Sequence, residues 1–253
     1  MRFSVITISY NASQGIGRTV ESVLSQTFTG FEYILIDGAS GDDTNAIIET
    51  YIPGFQRQNI PVFHKSEPDE GISDAFNKGI RLASGEIIAI INAGDTLLPD
   101  ALETVDRLME KDTDVVYGNV IWNRQADGVR YIRRAKADLS GLMYNMDVMH
   151  PAAFVRRSMY DRAGLFDVRY RYCMDQEFLV RVQREGGRFR YADQVFAVME
   201  AGGVSDRNVR KVLEEAALIP QKYGEPGWKV FASKWYKYLR NKAAHVYRRF
   251  VKN

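Results

Sequence analysis

Three apolar, β-branched runs in this chain end abruptly in polar side chains: Ser9-Tyr10-Asn11, Asp37-Gly38 and Asn92-Ala93-Gly94-Asp95. Ligands of open parallel sheets bind beyond the carboxyl ends of the strands, so residues in such positions are candidates for contact. Asp37 offers an acceptor-only carboxylate to a ribose hydroxyl or a base N–H, or else bonds the backbone of its own turn. Asp95 follows two small residues that let backbone approach a ligand closely. A single carboxylate there suits a hard cation, Mg2+ or Mn2+, shared with substrate phosphates, or a turn cap before Pro99.

A second group lies later in the chain. Asp175 and Glu177 flank Gln176 at the start of a helical pattern, with Arg181 one turn on. Acids at a helix start compensate its dipole. An ionised carboxylate within reach of a hydroxyl is also a general base. His150, just before Pro151, suits phosphate, a metal or a purely structural role.

The elements that must hold these residues alternate. Strands are expected at Phe3–Ser9, Phe31–Ile36, Ile60–His64, Glu86–Ile91 and Asp114–Tyr117. Helical patterns fall between them: one through Val20–Leu24 stopping near Thr29-Gly30, one from Asp43 to Tyr51 ended by Pro53-Gly54, then Ser73–Ala83 and Pro99–Met109. This order predicts an α/β fold with a mostly parallel central sheet flanked by helices. The rhythm breaks after Gly118. A hairpin is expected from Val120–Trp122 and Val129–Arg133, a short helix near Leu139–Tyr144 and a strand at Ala152–Val155. A helix at Gln176–Arg184 and short strands at Phe189–Tyr191 and Val195–Met199 complete the pattern.

Composition narrows the class. With 253 residues, 45% apolar and 26% charged, the chain is an ordinary folded protein, and disordered or collagen-like architectures are excluded. A lone Cys173 excludes a disulfide framework and a multi-cysteine zinc site. The opening apolar run is short for a signal peptide, and no run approaches the ~20 residues of a membrane span. A soluble protein of a reducing, cytoplasmic compartment is the expectation. The net charge of +2 conceals an asymmetry: residues 228–253 hold eight basic and no acidic side chains, leaving 26 basic against 32 acidic in the rest. Phe231, Trp235, Tyr238, Leu239, Val246 and Phe250 recur near helical spacing within that tail, a basic amphipathic pattern suited to an anionic membrane surface. The alternatives are packing on the acidic body or on a partner. No nucleic-acid recognition module accompanies the charge.

Asn11-Ala12-Ser13-Gln14-Gly15-Ile16-Gly17 approximates a dinucleotide fingerprint, with Asp37 20 residues after Gly17. The first glycine of that pattern is Asn11, and the Tyr-x-x-x-Lys of short-chain dehydrogenases occurs only as Tyr238–Lys242 in the tail. That reading is set aside.

The ordered motifs resemble family 2 glycosyltransferases of the GT-A fold over roughly residues 1–200. They are Ser4–Asn11, Glu21–Phe28, Tyr33–Ser40, Glu67–Gly79, Ala83–Glu86, Asn92–Asp95, His150-Pro151, Gly164–Asp167 and Asp175–Arg181. The resemblance implies an inverting enzyme moving a sugar from a nucleoside diphosphate, here a UDP-sugar, to a saccharide or lipid-linked acceptor in cell-surface polysaccharide biosynthesis. It implies that Tyr10 packs on the base and Asp37 binds it. Asn11, Asp69, Asp74 and Asn92 join the donor site, Asp95 with His150 holds the divalent cation, and Asp175 is the base. Gly94 stands where many members carry a ribose-binding aspartate, a contact Asn92 can take over. Met174 precedes Asp175 where an acid is frequent. The rival of another class is a nucleotide-sugar-binding protein of the same fold without turnover. The chain then divides into a donor half (1–118), an acceptor and catalytic half (119–224) and a basic amphipathic C-terminal helix (225–253). Attachment at the inner face of the membrane would follow from that helix.

Overall fold

The computed structural model describes residues 1–124, 128–233 and 235. Its centre is a nine-stranded sheet in the order Val62–Ser66, Phe31–Asp37, Phe3–Ser9, Ile87–Ile90, Ala153–Arg156, Val115–Arg124, Phe189–Glu200, Thr96–Leu97, with Val129–Arg133 pairing Val115–Arg124 off that path. β1 (Phe3–Ser9), β2 (Phe31–Asp37), β3 (Val62–Ser66) and β4 (Ile87–Ile90) are parallel, as the alternating pattern requires. The apolar runs of β1, β2 and β4 are buried on both sides, and β3 forms the more exposed edge. Val5 lies opposite Tyr33, and Tyr33 packs on Phe55 of α2 (Thr44–Arg57) at 5.1 Å between ring centres. Ile6 faces the other way, toward Gly79 of α3 (Ile72–Leu82), where any Cβ would stand 2.5 Å from the isoleucine. Helices therefore cover both faces. α1 (Ile16–Leu24) packs along α2 and delivers Thr19 to the strand ends.

The second half of the sheet is mixed. β8 (Ala153–Arg156) inserts antiparallel between β4 and β6 (Val115–Arg124), and β6 runs parallel to β9 (Phe189–Glu200). β5 (Thr96–Leu97) closes the edge against β9. The expected hairpin is present, with β7 (Val129–Arg133) paired to β6 so that Trp122 opposes Tyr131. β6 passes through Gly118 unbroken. There a Cβ would meet Phe196 at 2.6 Å and the Gln194 carbonyl at 2.7 Å, because β9 bulges toward it. Phe189–Tyr191 and Val195–Met199 belong to this one bulged strand, and a glycine read as a stop is the notch that accommodates the bulge.

Other boundaries differ for identifiable reasons. α2 runs past Pro53 to Arg57, since Gly54 packs against Leu24 and the fully buried Phe55 anchors the last turn. β3 starts at Val62, after Asn59 with positive φ and Pro61, which has no N–H for the ladder. Residues 139–145 form hydrogen-bonded turns rather than a helix. α4 (Ala101–Leu108) and α6 (Met174–Arg184) match expectation closely. Three helices had no clear signal: α5 (Arg157–Ala163), α7 (Val204–Arg207) and α8 (Val209–Lys222). Residues 227–233 are helical, and most of the basic tail lies outside the described residues. Among the described residues no helix is long and apolar enough to cross a membrane.

Candidate active site

β1 and β2 end in register at Ser9 and Asp37, and the chain turns outward on both. Asp37 is fully buried. Its Oδ1 accepts from Ser9 Oγ (2.9 Å) and Ser40 Oγ (2.5 Å), and its Oδ2 from Ser40 N, Asn45 Nδ2 and Ser66 Oγ (2.8, 2.9 and 2.7 Å). Burial alone would raise its pKa, but the bonds from Ser40, Ser66 and Asn45 outweigh it and hold the carboxyl at about 2. Asp37 therefore organises the floor of the site. Asn11, with φ +46, stitches the facing loop: its N–H donates to Ser40 Oγ and its Oδ1 accepts from Gly41 N.

Above this floor Tyr10 is 68% exposed, free to offer its ring face. Asp69 leans into the space over Gly38, where a Cβ would stand 2.5 Å from Asp69 Oδ2 and 3.3 Å from the Tyr10 ring. Its Oδ1 accepts from Gly71 N at 2.8 Å. Asp74 accepts from Glu70 N and pairs with Lys78, which also donates to the Pro68 carbonyl, so Asp74 shapes the loop that carries Asp69. Gly38→Ala should push Asp69 aside, a cheap movement for a side-chain end. The expected result is a melting temperature nearly that of wild type and nucleotide affinity lower by about tenfold, read by calorimetry.

Asn92–Asp95 turns back on itself through Asp95 N to Asn92 O (3.0 Å), with Gly94 at φ +105. Thr19 clamps the turn: its hydroxyl accepts from Gly94 N and donates to Asp95 O at 2.7 Å. Gly15 lies against Gly94, with Cβ space of only 3.0 Å to its Cα, and Gly17 lies against Tyr51. The glycines that imitate a dinucleotide fingerprint are thus used for packing. Asp95 is buried, and its Oδ1 accepts from Glu200 N at 2.8 Å. Burial pushes its pKa up to about 7, the Glu200 N–H opposes this and the Glu200 charge adds to it. Beside it, Asn92 Oδ1 is buried and has no hydrogen-bond partner among the described residues.

His150 opens a single 3-10 turn, His150–Ala152, and brings the two halves together. Its Nε2 lies 2.9 Å from Asn92 Nδ2 and 4.0 Å from Asp95 Oδ2, while its Nδ1 lies 3.9 Å from Asp175 Oδ2. Burial lowers its pKa to about 4, so the ring is neutral at pH 7. With Asn92 oriented as it stands, Nε2 accepts and Nδ1 carries the proton toward Asp175. Asp175 sits in the first turn of α6, its Oδ1 accepting from Gln176 N at 2.8 Å. Burial pushes its carboxyl up to about 6, against that N–H bond and the charge of Arg133.

Glu177, by contrast, is fully buried and committed. It takes Arg181 Nε on both oxygens and Lys222 Nζ at 2.7 Å, and Arg181 in turn holds the carbonyls of Gly164 and Leu165. Of the two acids at this helix start, Asp175 alone faces the cleft residues. Its placement depends on a residue with no sequence signal: Glu215 of α8 accepts from Arg171 N, Tyr172 N and Cys173 N at 2.9, 2.7 and 2.7 Å. Glu215→Ala leaves three N–H groups without that partner. It should cost about 2 kcal/mol, roughly 4–8 °C in melting temperature for a chain this size, with a fall in turnover as α6 loosens.

The site therefore has a shelf (Tyr10, Gly38, Asp69), a buried carboxylate (Asp95) and, across His150, a second carboxylate with raised pKa. Among the described residues no three His, Cys, Asp or Glu side chains gather round one point. A cation shared with a diphosphate needs few protein ligands, and Asp95 Oδ2, which accepts no hydrogen bond among the described residues, is a hard donor of the right kind. The residues fit such an ion. This α/β arrangement is the GT-A architecture of glycosyltransferases.

The comparisons agree. The profile described as Glycosyl transferase family 2 matches residues 4–166. A PGL/p-HBAD biosynthesis glycosyltransferase of Mycobacterium tuberculosis is 30% identical over 214 residues, covering 83% of this chain and 81% of the relative. Among solved structures, S. aureus TarS 1-349 in complex with UDP superposes with a TM-score of 0.66 at 21% identity, over 87% of this chain and 65% of that one. Mannosyltransferase PcManGT from Pyrobaculum calidifontis, in complex with GDP-Man and Mn2+, does so with a TM-score of 0.66 at 19% identity, over 89% and 65%. This chain spans less than two thirds of either solved protein. It belongs to glycosyltransferase family 2.

Proposed function

We propose that this glycosyltransferase moves a sugar from a nucleoside diphosphate to an acceptor hydroxyl with inversion, and that Asp175 is its base. The observation that carries the reading is the row Asp95–His150–Asp175, which sets a buried carboxylate and a carboxyl of raised pKa on either side of one neutral ring. The base of the donor would rest on Tyr10, with Asp69 Oδ2 accepting an imide N–H such as that of uracil. This assigns recognition to Asp69, since the Asp37 oxygens are already engaged by five donors. Asn92 Oδ1 would accept from the ribose. Asp95, with His150 beside it, would hold a divalent cation, which supplies electrostatic stabilisation for the charge growing on the diphosphate.

The acceptor hydroxyl is far too weak an acid to attack unaided, so Asp175 Oδ2 takes its proton as the new bond forms. Attack from the face opposite the leaving diphosphate inverts the anomeric carbon. His150, neutral, separates the two carboxylates without competing for that proton. Proton NMR of the first product tests the reading: a glycosidic bond of configuration opposite to the donor's supports it, and a retained configuration removes Asp175 from the role of base.

The C-terminal segment is proposed to meet an anionic membrane, because Trp228 and Phe231 stand 69% and 63% exposed at the entry to the basic tail. Vesicles containing anionic lipid should pellet the full chain and not a chain ending at residue 227. Equal pelleting would discard the membrane role.

A further inference from the structure

The hairpin that borders Asp175 carries a partly buried cation that forms no close ion pair among the described residues. Arg133 on β7 is partly buried, and its guanidinium makes no ion pair or hydrogen bond among the described residues. It lies 5.5 Å over the ring of Trp122 on β6, which restrains it without neutralising it. Pairing places the two side chains on the same face. Arg133 opposes Val120, Trp122 opposes Tyr131, and Val120 and its β9 neighbour Ala197 are both fully buried, so this face looks inward. The charge of Arg133 acts on Asp175, whereas Glu200 is the charged residue that acts on Asp95. β7 also stands three strand steps from β5, roughly 14 Å at ~4.8 Å per step, so Arg133 belongs to the Asp175 end of the cleft.

We propose that Arg133, held over the ring of Trp122, is an acceptor-binding residue that selects an acceptor bearing an anion, a phosphate or a carboxylate, close to the hydroxyl that is glycosylated. A guanidinium presents a planar fork of donors matched to those two groups, and a partly buried, unpaired one gains most from receiving them. The exposed Tyr131, on the same face, extends the wall along which a sugar ring would lie. The inference rests on the transferase reading and adds the chemical class of the acceptor.

The test uses the full chain loaded with nucleoside diphosphate and Mn2+, titrated with glucose, glucuronate and glucose 6-phosphate. At least one anionic sugar should bind wild type about tenfold more tightly than glucose. Arg133→Met should bring that ratio to about one and Arg133→Lys should keep part of it, while nucleoside diphosphate affinity stays within about twofold of wild type in both. Equal binding of the three sugars to wild type, or a preference that survives Arg133→Met, overturns the proposal. A parallel tenfold loss of nucleoside diphosphate affinity overturns it too, by assigning Arg133 to the donor. Failure of wild type to bind any nucleotide would instead strike the transferase reading itself.

Discussion

Asp175→Asn is expected to lower transfer on the order of 10³-fold while leaving nucleoside diphosphate affinity within about twofold of wild type. The substitution keeps the volume of the side chain and an oxygen for the Gln176 N–H, so α6 retains its first turn. What disappears is the oxygen that takes the proton. Loss of turnover with intact donor binding is the signature of a group acting in the transition state rather than in the ground state. The pH profile adds a sign. Burial raises this carboxyl to about 6, so the ionised base is depleted as pH falls through that value, and kcat should decline on the acid side with an apparent pKa near 6. Turnover close to wild type in the variant would remove Asp175 from the mechanism.

The second large effect is expected at Asp95. Asp95→Asn keeps an acceptor for Glu200 N, so the turn survives, but the charge is gone. Manganese should then cease to strengthen nucleotide binding, a loss of about 100-fold in the metal-dependent affinity. In wild type a proton competes with the ion, because burial lifts the carboxyl to about 7; manganese should bind more tightly at pH 8 than at pH 6. Calorimetric titration of Mn2+ with nucleoside diphosphate reads both. An unchanged metal titration in the variant would contradict the role.

Much of the first half of the chain was legible because its elements are local. A parallel strand buried on both faces reads as a continuous β-branched run, and Phe3–Ser9 emerged with the bounds expected of it. The polar residues at those strand ends could be nominated from position alone. What position could not tell is which oxygens were already engaged. Asp37 looks like a base-binding carboxylate in the sequence, yet Ser9, Ser40, Asn45 and Ser66 converge on it from separate segments. Asp69 is the opposite case: its place over Gly38 follows from a glycine and a loop that meet only in space.

The second half was less readable, and the reason is again range. Glu215 caps the approach to α6 from over 40 residues away, and the charge of Arg133 acts on Asp175 only because a hairpin folds it there. Neither spacing nor periodicity encodes such contacts. Glu177 and Asp175 were indistinguishable as neighbours at a helix start; burial against Arg181 and Lys222 separates them. Gly118 and Pro53 misled because their local tendencies, to break a strand and a helix, gave way to a bulge in β9 and to the anchoring of Phe55.

The most direct test of the central claim is release of nucleoside diphosphate from UDP- and GDP-sugars, measured with and without Mn2+ on the wild-type chain. Manganese-dependent release from one class of donor, absent in Asp95→Asn, is the result expected. No release and no binding of either nucleotide at millimolar concentration would mean that the Asp95–His150–Asp175 row does not work as a sugar-transfer site.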